Sequence, residues 1–293
     1  MNSRIKKIIN KLRSKAAVTI ILLSSVVFSC TDVVDVAVPT EASRLVIEAS
    51  LDWEKGTSGN DQTIKLSLTT PFFDTALDPA VGASVSVENV TNGEVYVFDD
   101  QQDGRYTISD FEPIINNVYN LEIIYNDETY IAQETLMPVP EINRIEQSRI
   151  GGSDEEELDL TIYFDDPENE TNFYYATFLE GDDLFPLRVV VSDEFTNGNE
   201  VSIFYEENEA DAEDEILPGD MVDIYLYGIS ELYYDFLHIL IEQSDNVGDP
   251  FATIPTRLRG NFINLQNPDN YAFGFFRVTE VVNQVYTFVE QEN

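Results

Sequence analysis

Apolar side chains along this chain fall into short runs in which every second position is large and apolar. Leu45-Val46-Ile47-Glu48-Ala49-Ser50-Leu51, Thr63-Ile64-Lys65-Leu66-Ser67-Leu68 and Ala83-Ser84-Val85-Ser86-Val87 follow this period, bounded by Gly, Pro, Asn and Asp. Successive side chains of an extended chain point to opposite faces, so each run predicts a strand with one buried face. Asn92-Gly93 separates Val85-Ser86-Val87 from Val95-Tyr96-Val97-Phe98, and such a pair takes up the positive φ angles of a two-residue hairpin. Two further strands, Val118 to Tyr125 and Thr129 to Thr135, meet at Asn126-Asp127. This density of short strands predicts a β-sandwich of immunoglobulin or transthyretin type over residues 44–136.

Met137-Pro138-Val139-Pro140 punctuates the chain, and a domain boundary is expected there. Residues 137–293 predict a second β-rich domain, with strands over 158–164, 172–179, 187–191, 201–205, 221–227, 271–278 and 285–289. One helix interrupts them, Ser230 to Gln243. Ser230 suits the N-cap, and Leu232, Tyr233, Phe236, Leu237, Leu240 and Ile241 recur at helical spacing to form a face for packing on a sheet. Residues 151–157 and 206–215 are acidic, carry no large apolar side chain, and read as loops.

The N-terminus follows neither period. Arg4, Lys6, Lys7, Lys11, Arg13 and Lys15 precede an apolar run from Ala16 to Phe28, too short to span a bilayer comfortably, and Ser29-Cys30 closes it. That order is the anatomy of a secretory signal over residues 1–29, and it resembles the bacterial lipobox. The resemblance implies cleavage before Cys30 and lipid on its sulfur, with 30–43 as a lipidated tether. Phe28 departs from the small residue usual two places before the cysteine. An uncleaved anchor, or an ordinary signal with a chance cysteine, are the plainer alternatives. Two or three acyl chains hold a protein at a membrane stably, each buried methylene contributing about 0.8 kcal/mol. Asp32 and Asp35 follow closely; in Bacteroidetes-type lipoproteins, acids after the cysteine accompany export to the outer face of the outer membrane.

Charge narrows the partners. The 293 residues carry 16 Lys and Arg against 55 Asp and Glu, a formal net charge of −39, and loss of the leader would remove six of the cations and none of the acids. Nucleic-acid affinity rests on cations neutralising phosphates, so no nucleic-acid partner is expected, and a basic patch for anionic lipid is equally disfavoured. With 43% hydrophobic and 12% aromatic residues the chain is expected to fold. Cys30 is its one cysteine, so core packing rather than disulfides must hold it.

No motif marks a catalytic centre, and an enzyme is not expected. His238 is the sole histidine, which removes most catalytic and zinc arrangements, and no Gly-x-Ser-x-Gly elbow accompanies it. Its place on the helix points to a structural or surface role. Calcium is the metal whose oxygen ligands abound. Asp99-Asp100-Gln101-Gln102-Asp103-Gly104 with Asp110 resembles the spacing of an EF-hand loop, yet Arg105-Tyr106-Thr107-Ile108 reads as a strand where an exit helix is needed. Asp165-Asp166-Pro167-Glu168-Asn169-Glu170 is a second oxygen-rich loop that an Asp-Pro turn explains without an ion. Neither metal nor cofactor residues are therefore assigned. Tyr174, Tyr175, Tyr233, Tyr234, Phe275 and Phe276 could form a sugar- or peptide-stacking platform, but aromatics in strands and on a helix face are more often core.

Taken in order, several segments resemble one family, the Bacteroidetes outer-membrane lipoproteins known as domain of unknown function 4249. They are Leu45-Val46-Ile47-Glu48, Gly82-Ala83-Ser84-Val85, Gly104-Arg105-Tyr106, Pro138-Val139-Pro140-Glu141-Ile142, Phe164-Asp165-Asp166-Pro167, Asn172-Phe173-Tyr174-Tyr175, Pro218-Gly219-Asp220, Asp249-Pro250-Phe251 and Gly274-Phe275-Phe276. Members of that family typically lie beside genes for TonB-dependent transporters. The resemblance implies an accessory lipoprotein, anchored through Cys30 and facing the cell exterior, that helps such a barrel bind or take up a small ligand. It assigns no catalytic residue. A structural or adhesion lipoprotein of the envelope, without a transport role, is the alternative expectation.

Overall fold

The computed structural model describes residues 42–71, 76–149, 158–168, 170–181, 183–206, 216–245 and 257–290. Cys30, the stretch 151–157 and residues 207–215 lie outside them. Eight strands make up the first half: β1 (Leu45–Glu54), β2 (Gln62–Leu68), β3 (Asp78–Pro79), β4 (Ser84–Asn89), β5 (Glu94–Asp100), β6 (Arg105–Ile108), β7 (Val118–Tyr125) and β8 (Glu128–Thr135). The second half holds β9 (Arg144–Ser148), β10 (Asp159–Asp165), β11 (Phe173–Glu180), β12 (Leu187–Ser192), β13 (Glu200–Tyr205), β14 (Met221–Ile229), the helix α1 (Glu231–Asp245), β15 (Ile263–Asn264) and β16 (Phe273–Thr287). The fold is thus mainly β with a single helix among the described residues, as the alternating pattern predicts.

One long sheet runs in the order β12-β11-β14-β16-β1-β2-β6-β5-β4-β7-β8-β15, with β3 beside β2, and a small sheet β13-β10-β9 stands apart. The long sheet curls, so that Ile47, Ile64 and Tyr106 from β1, β2 and β6 share a core with Val85, Leu121 and Tyr130 from β4, β7 and β8. A second core lies between the small sheet and the other end of the long one, built from Leu160, Ile162 and Ile203 against Tyr174, Phe178 and Ile224. Full burial of each aliphatic side chain contributes about 1.5–3 kcal/mol. Leu136 closes the first core and Val139 opens the second. Phe262, Ala272, Phe276 and Val278 then return to the first core from the C-terminal part of the chain.

β16 joins the two. Its residues 273–281 pair in parallel with β1, Val46 opposite Phe273 through Glu54 opposite Val281. From Val281 to Thr287 it pairs antiparallel with β14. Sequence pattern divides this region into two strands, 271–278 and 285–289; the structure has one strand of 15 residues. Residues 275–282 are buried on both faces, which erases the alternation that marks a half-buried strand. The segment 137–140 lies along it: Met137 bridges to Thr279, the Glu280 amide donates to the Met137 carbonyl at 3.0 Å, and the Val139 amide donates to Glu280 Oε2 at 3.0 Å. Lys55 pairs with the same carboxylate at 3.3 Å. Gly228 sits where Pro138 crosses, and a Cβ there would fall 1.8 Å from the Pro138 carbonyl oxygen.

The hairpins follow turn chemistry in two ways. Asn126 and Asp127, at φ of 50° and 64°, make a two-residue loop closed by Tyr125 opposite Glu128. The expected two-residue turn at Asn92-Gly93 is instead a four-residue loop closed by Asn89 opposite Glu94, with Gly93 at φ 79°. Asn92 spends its side-chain oxygen on the Glu94 amide, so only the glycine needs the left-handed region. Ser230 caps α1 as predicted, accepting from the Tyr233 amide at 3.2 Å. The helix packs on β11 and β14 through Leu237 and Tyr233 over Tyr175, Tyr227 and Ile229. Leu232 and Leu240, expected on that face, are exposed at 55% and 41%.

Candidate functional site

His238 lies on the exposed side of α1, stacked on Tyr234 with ring centroids 6.0 Å apart. Among the described residues no carboxylate is hydrogen-bonded to it. Of the aromatic platform, Tyr174 and Phe276 point into the two cores, Tyr175 and Phe275 are buried, and Tyr233 and Tyr234 are half-buried against the sheet. These rings pack the interior. Beneath the helix they surround Arg277, whose guanidinium grips Asp52 at 2.7 and 3.1 Å and donates to the Tyr233 hydroxyl at 3.2 Å. Tyr227 lies 4.7 Å from its centre. Burial pulls the guanidinium's pKa down, and the Asp52 carboxylate more than offsets that pull.

The segment 99–110 crosses from β5 to β6 through a tight turn. Asp100 accepts from the Gly82 and Gln102 amides, and Asp103 accepts from the Arg105 amide and guanidinium, the latter at 2.7 Å. These bonds hold the turn, and β6 stands where an EF-hand would need a helix. Asp99 and Asp110 face a shallow cleft of about 510 Å³ that Asp61, Thr63 and Thr107 also line.

A different arrangement closes one end of the second sandwich. Asp166 follows β10, Asn172 precedes β11 and Asp193 follows β12. Since Phe173 pairs with Ser192, Asn172 and Asp193 stand opposite one another, and the Asp193 amide donates to the Asn172 carbonyl at 3.1 Å. Tyr174 shares the face of Asn172 and reaches across the sandwich, its hydroxyl donating to Asp166 Oδ1 at 2.5 Å; the Gly198 amide donates to Asp166 Oδ2 at 2.9 Å. Asp166, Asn172 and Asp193 are all buried, Asp193 completely. Neither Asp193 oxygen has a hydrogen-bond partner, and Asn172 Oδ1 has none either. Burial pushes its carboxyl up, and the neighbouring Asp166 charge pushes the same way. Burial, the bond to Asp166 and the charges of Asp166, Asp193 and Glu170 together raise the Tyr174 hydroxyl far above its usual range.

Of this cluster the sequence pattern points only to the Asp165-Asp166-Pro167 loop. Asp193 sits in Ser192-Asp193-Glu194, which reads as any acidic turn, and only the β11–β12 register brings it to Asp166. Among the described residues no three His, Cys, Asp or Glu side chains form a group able to hold a metal by themselves. Also among them, no helix is long and apolar enough to cross a membrane.

Residues 31–284, nearly everything after the cysteine, match the family described as Domain of unknown function (DUF4249). The chain belongs to the DUF4249 family. No curated protein matches it. Among solved structures, a two-domain fibronectin type III segment from chicken tenascin is 11% identical, with 57% of this DUF4249 chain and 84% of that one covered, at a TM-score of 0.20. The FN1–FN3 domains of chicken CNTN1 are 12% identical, with 63% of each chain covered, at a TM-score of 0.26. Overlap that slight carries no argument, and the DUF4249 fold stands on its own strand pairing.

Proposed function

We propose that this DUF4249 protein is a lipoprotein of the outer membrane, anchored through acylated Cys30, that serves a TonB-dependent transporter as an accessory subunit in nutrient binding or uptake. The observation that carries this reading is the placement of Cys30 directly behind a basic and then apolar leader, ahead of a chain that is otherwise rich in acid and built of sheet. Family membership supports it, since the family resemblance implies transporter neighbours. Residues 31–44 span at most about 50 Å when fully extended, so the folded body would work within that distance of the bilayer. A chain of formal net charge −39 repels anionic headgroups, which leaves the lipid as the membrane contact and the protein faces free for a partner.

Mass spectrometry of the native product and mild solubilisation of outer membranes test the two halves separately. The expected results are an N-terminal Cys30 carrying acyl chains, a Cys30→Ala variant released from the membrane fraction, and co-purification with a transporter barrel. A bare thiol or a retained leader overturns the address. Acylated protein recovered without any barrel overturns the transport role and leaves an envelope structural or adhesion lipoprotein.

A further inference from the structure

The end of the second sandwich holds more acceptors than the protein satisfies. Two carboxylates, Asp166 and Asp193, face each other, and Asp166 already receives the Tyr174 hydroxyl and the Gly198 amide. Both Asp193 oxygens and Asn172 Oδ1, all buried, receive nothing. Buried polar groups are almost always paired, and each exception calls for a cause. We infer that this end of the sandwich is a calcium site, held by the carboxylates of Asp193 and Asp166 and the amide oxygen of Asn172.

A proton shared between the two aspartates is the simpler remedy, and it falls short by count. One proton serves one Asp193 oxygen and leaves the other oxygen and Asn172 Oδ1 alone. A calcium ion takes six to eight oxygens at about 2.3–2.6 Å, accepts a bidentate carboxylate and tolerates irregular geometry, so it satisfies all three at once while water fills the remaining places. Donor type argues against the other metals. The set is all oxygen, without the sulfur or imidazole that zinc favours, and magnesium demands a regular octahedron and gives up its waters reluctantly. Glu170, exposed on the adjoining turn, adds negative charge at the rim where an ion would enter. The site is built by tertiary structure: one ligand comes from the small sheet and two from the edge of the long one. Calcium would therefore clamp the two layers together.

Thermal unfolding of the full chain in detergent, stripped with EGTA and then given 10 mM calcium chloride or magnesium chloride, tests the assignment. For dissociation constants of 0.1–1 mM, usual for extracellular modules, calcium is expected to raise Tm by roughly 3–10 °C and magnesium by far less. Asp193→Asn should abolish the calcium shift while raising Tm in EGTA, because it removes a buried unpaired charge. Should that variant fail to fold, Asn172→Asp gives the same test in the other direction, with tighter calcium binding expected. A wild-type Tm indifferent to calcium overturns the site, as does an equal shift in Asp193→Asn or weaker binding in Asn172→Asp. A Tm that climbs on acidification in EGTA and ignores calcium would assign the pair to a shared proton instead.

Discussion

The two sandwiches handle buried polar groups in opposite ways. In the first, Tyr106 donates to the Ala80 carbonyl at 2.8 Å and accepts from the Ala83 amide at 3.0 Å, Tyr119 accepts from the Ile114 amide at 2.9 Å, and Tyr96 and Tyr130 donate to Glu94 and Glu128, carboxylates that reach solvent. In the second, Tyr174 meets the buried carboxylate of Asp166, and the neighbouring oxygens of Asp193 and Asn172 have no donors. A hydroxyl bonded to backbone completes a loop closure. Two carboxylates brought face to face leave a surplus of negative charge that packing cannot discharge. The first region thus meets its tyrosine hydroxyls with protein atoms, and the second gains from a cation.

What joins the regions is open to the sharpest test. β16 gives its first half to one core and its second half to the other, and Gly228 lets Pro138 lie against it. Gly228→Ala places a methyl group inside the van der Waals radius of the Pro138 carbonyl. The expected cost is about 3–5 kcal/mol, at the upper end for a single substitution. Urea unfolding checks it with two probes, fluorescence of Trp53, which packs against the first core, and far-UV circular dichroism for the whole. Coincident midpoints, both lowered, are expected because the cores share a strand. Separate midpoints, with the Trp53 transition unmoved, would show two independent regions.

Strand alternation carries most of the first region because its strands are half-buried. Ile47, Ala49 and Leu51 point inward while Glu48 and Ser50 point to solvent. The same logic misplaces the break in β16, where Arg277 and Glu280 are buried among apolar neighbours and both faces are covered. Arg277 is illegible in sequence, since its partner Asp52 lies on β1 at the other end of the chain. Helical spacing locates α1 and its cap, yet the packed face turns out to be Tyr233, Phe236, Leu237 and Ile241, leaving Leu232 and Leu240 outside. Asp193 escapes for the reason given by its geometry: its neighbours are set by register and by a second sheet, and no local pattern encodes either.

A second probe of the seam is titration. Glu134 on β8 is buried, and burial pushes its carboxyl up to about 7 against the opposing pull of Ser230, Asn261 and the Thr135 amide. Ser230 is the cap of α1, so this carboxylate of the first region touches the helix of the second. Below pH 4.5, the unperturbed value, the group is protonated folded or unfolded and stability does not depend on it. Between 4.5 and 7 the unfolded chain releases the proton first, so stability falls as pH rises, and above 7 the full loss applies. At about 1.4 kcal/mol per unit the loss is at most about 3.5 kcal/mol. Glu134→Gln should leave stability at pH 4 nearly unchanged and raise it at pH 8 by about 1–3 kcal/mol, measured by urea unfolding at both values. Equal effects at the two values would remove Glu134 as a titrating link between the regions.

The smallest effect is expected where the comparison predicts none. His238 lies on the solvent side of α1, against Tyr234. An exposed substitution of this kind changes stability by no more than about 0.5 kcal/mol. His238→Ala should therefore alter neither the urea midpoint nor the calcium response, and Tyr234 should keep its contact with Phe173, whose ring lies 5.1 Å away. A loss above 1 kcal/mol would mean that the outer face of α1 is covered in the native protein. In that case the stacked pair His238 and Tyr234 would mark where a partner contacts the second region, and the contrast with the first sandwich would extend from ions to proteins.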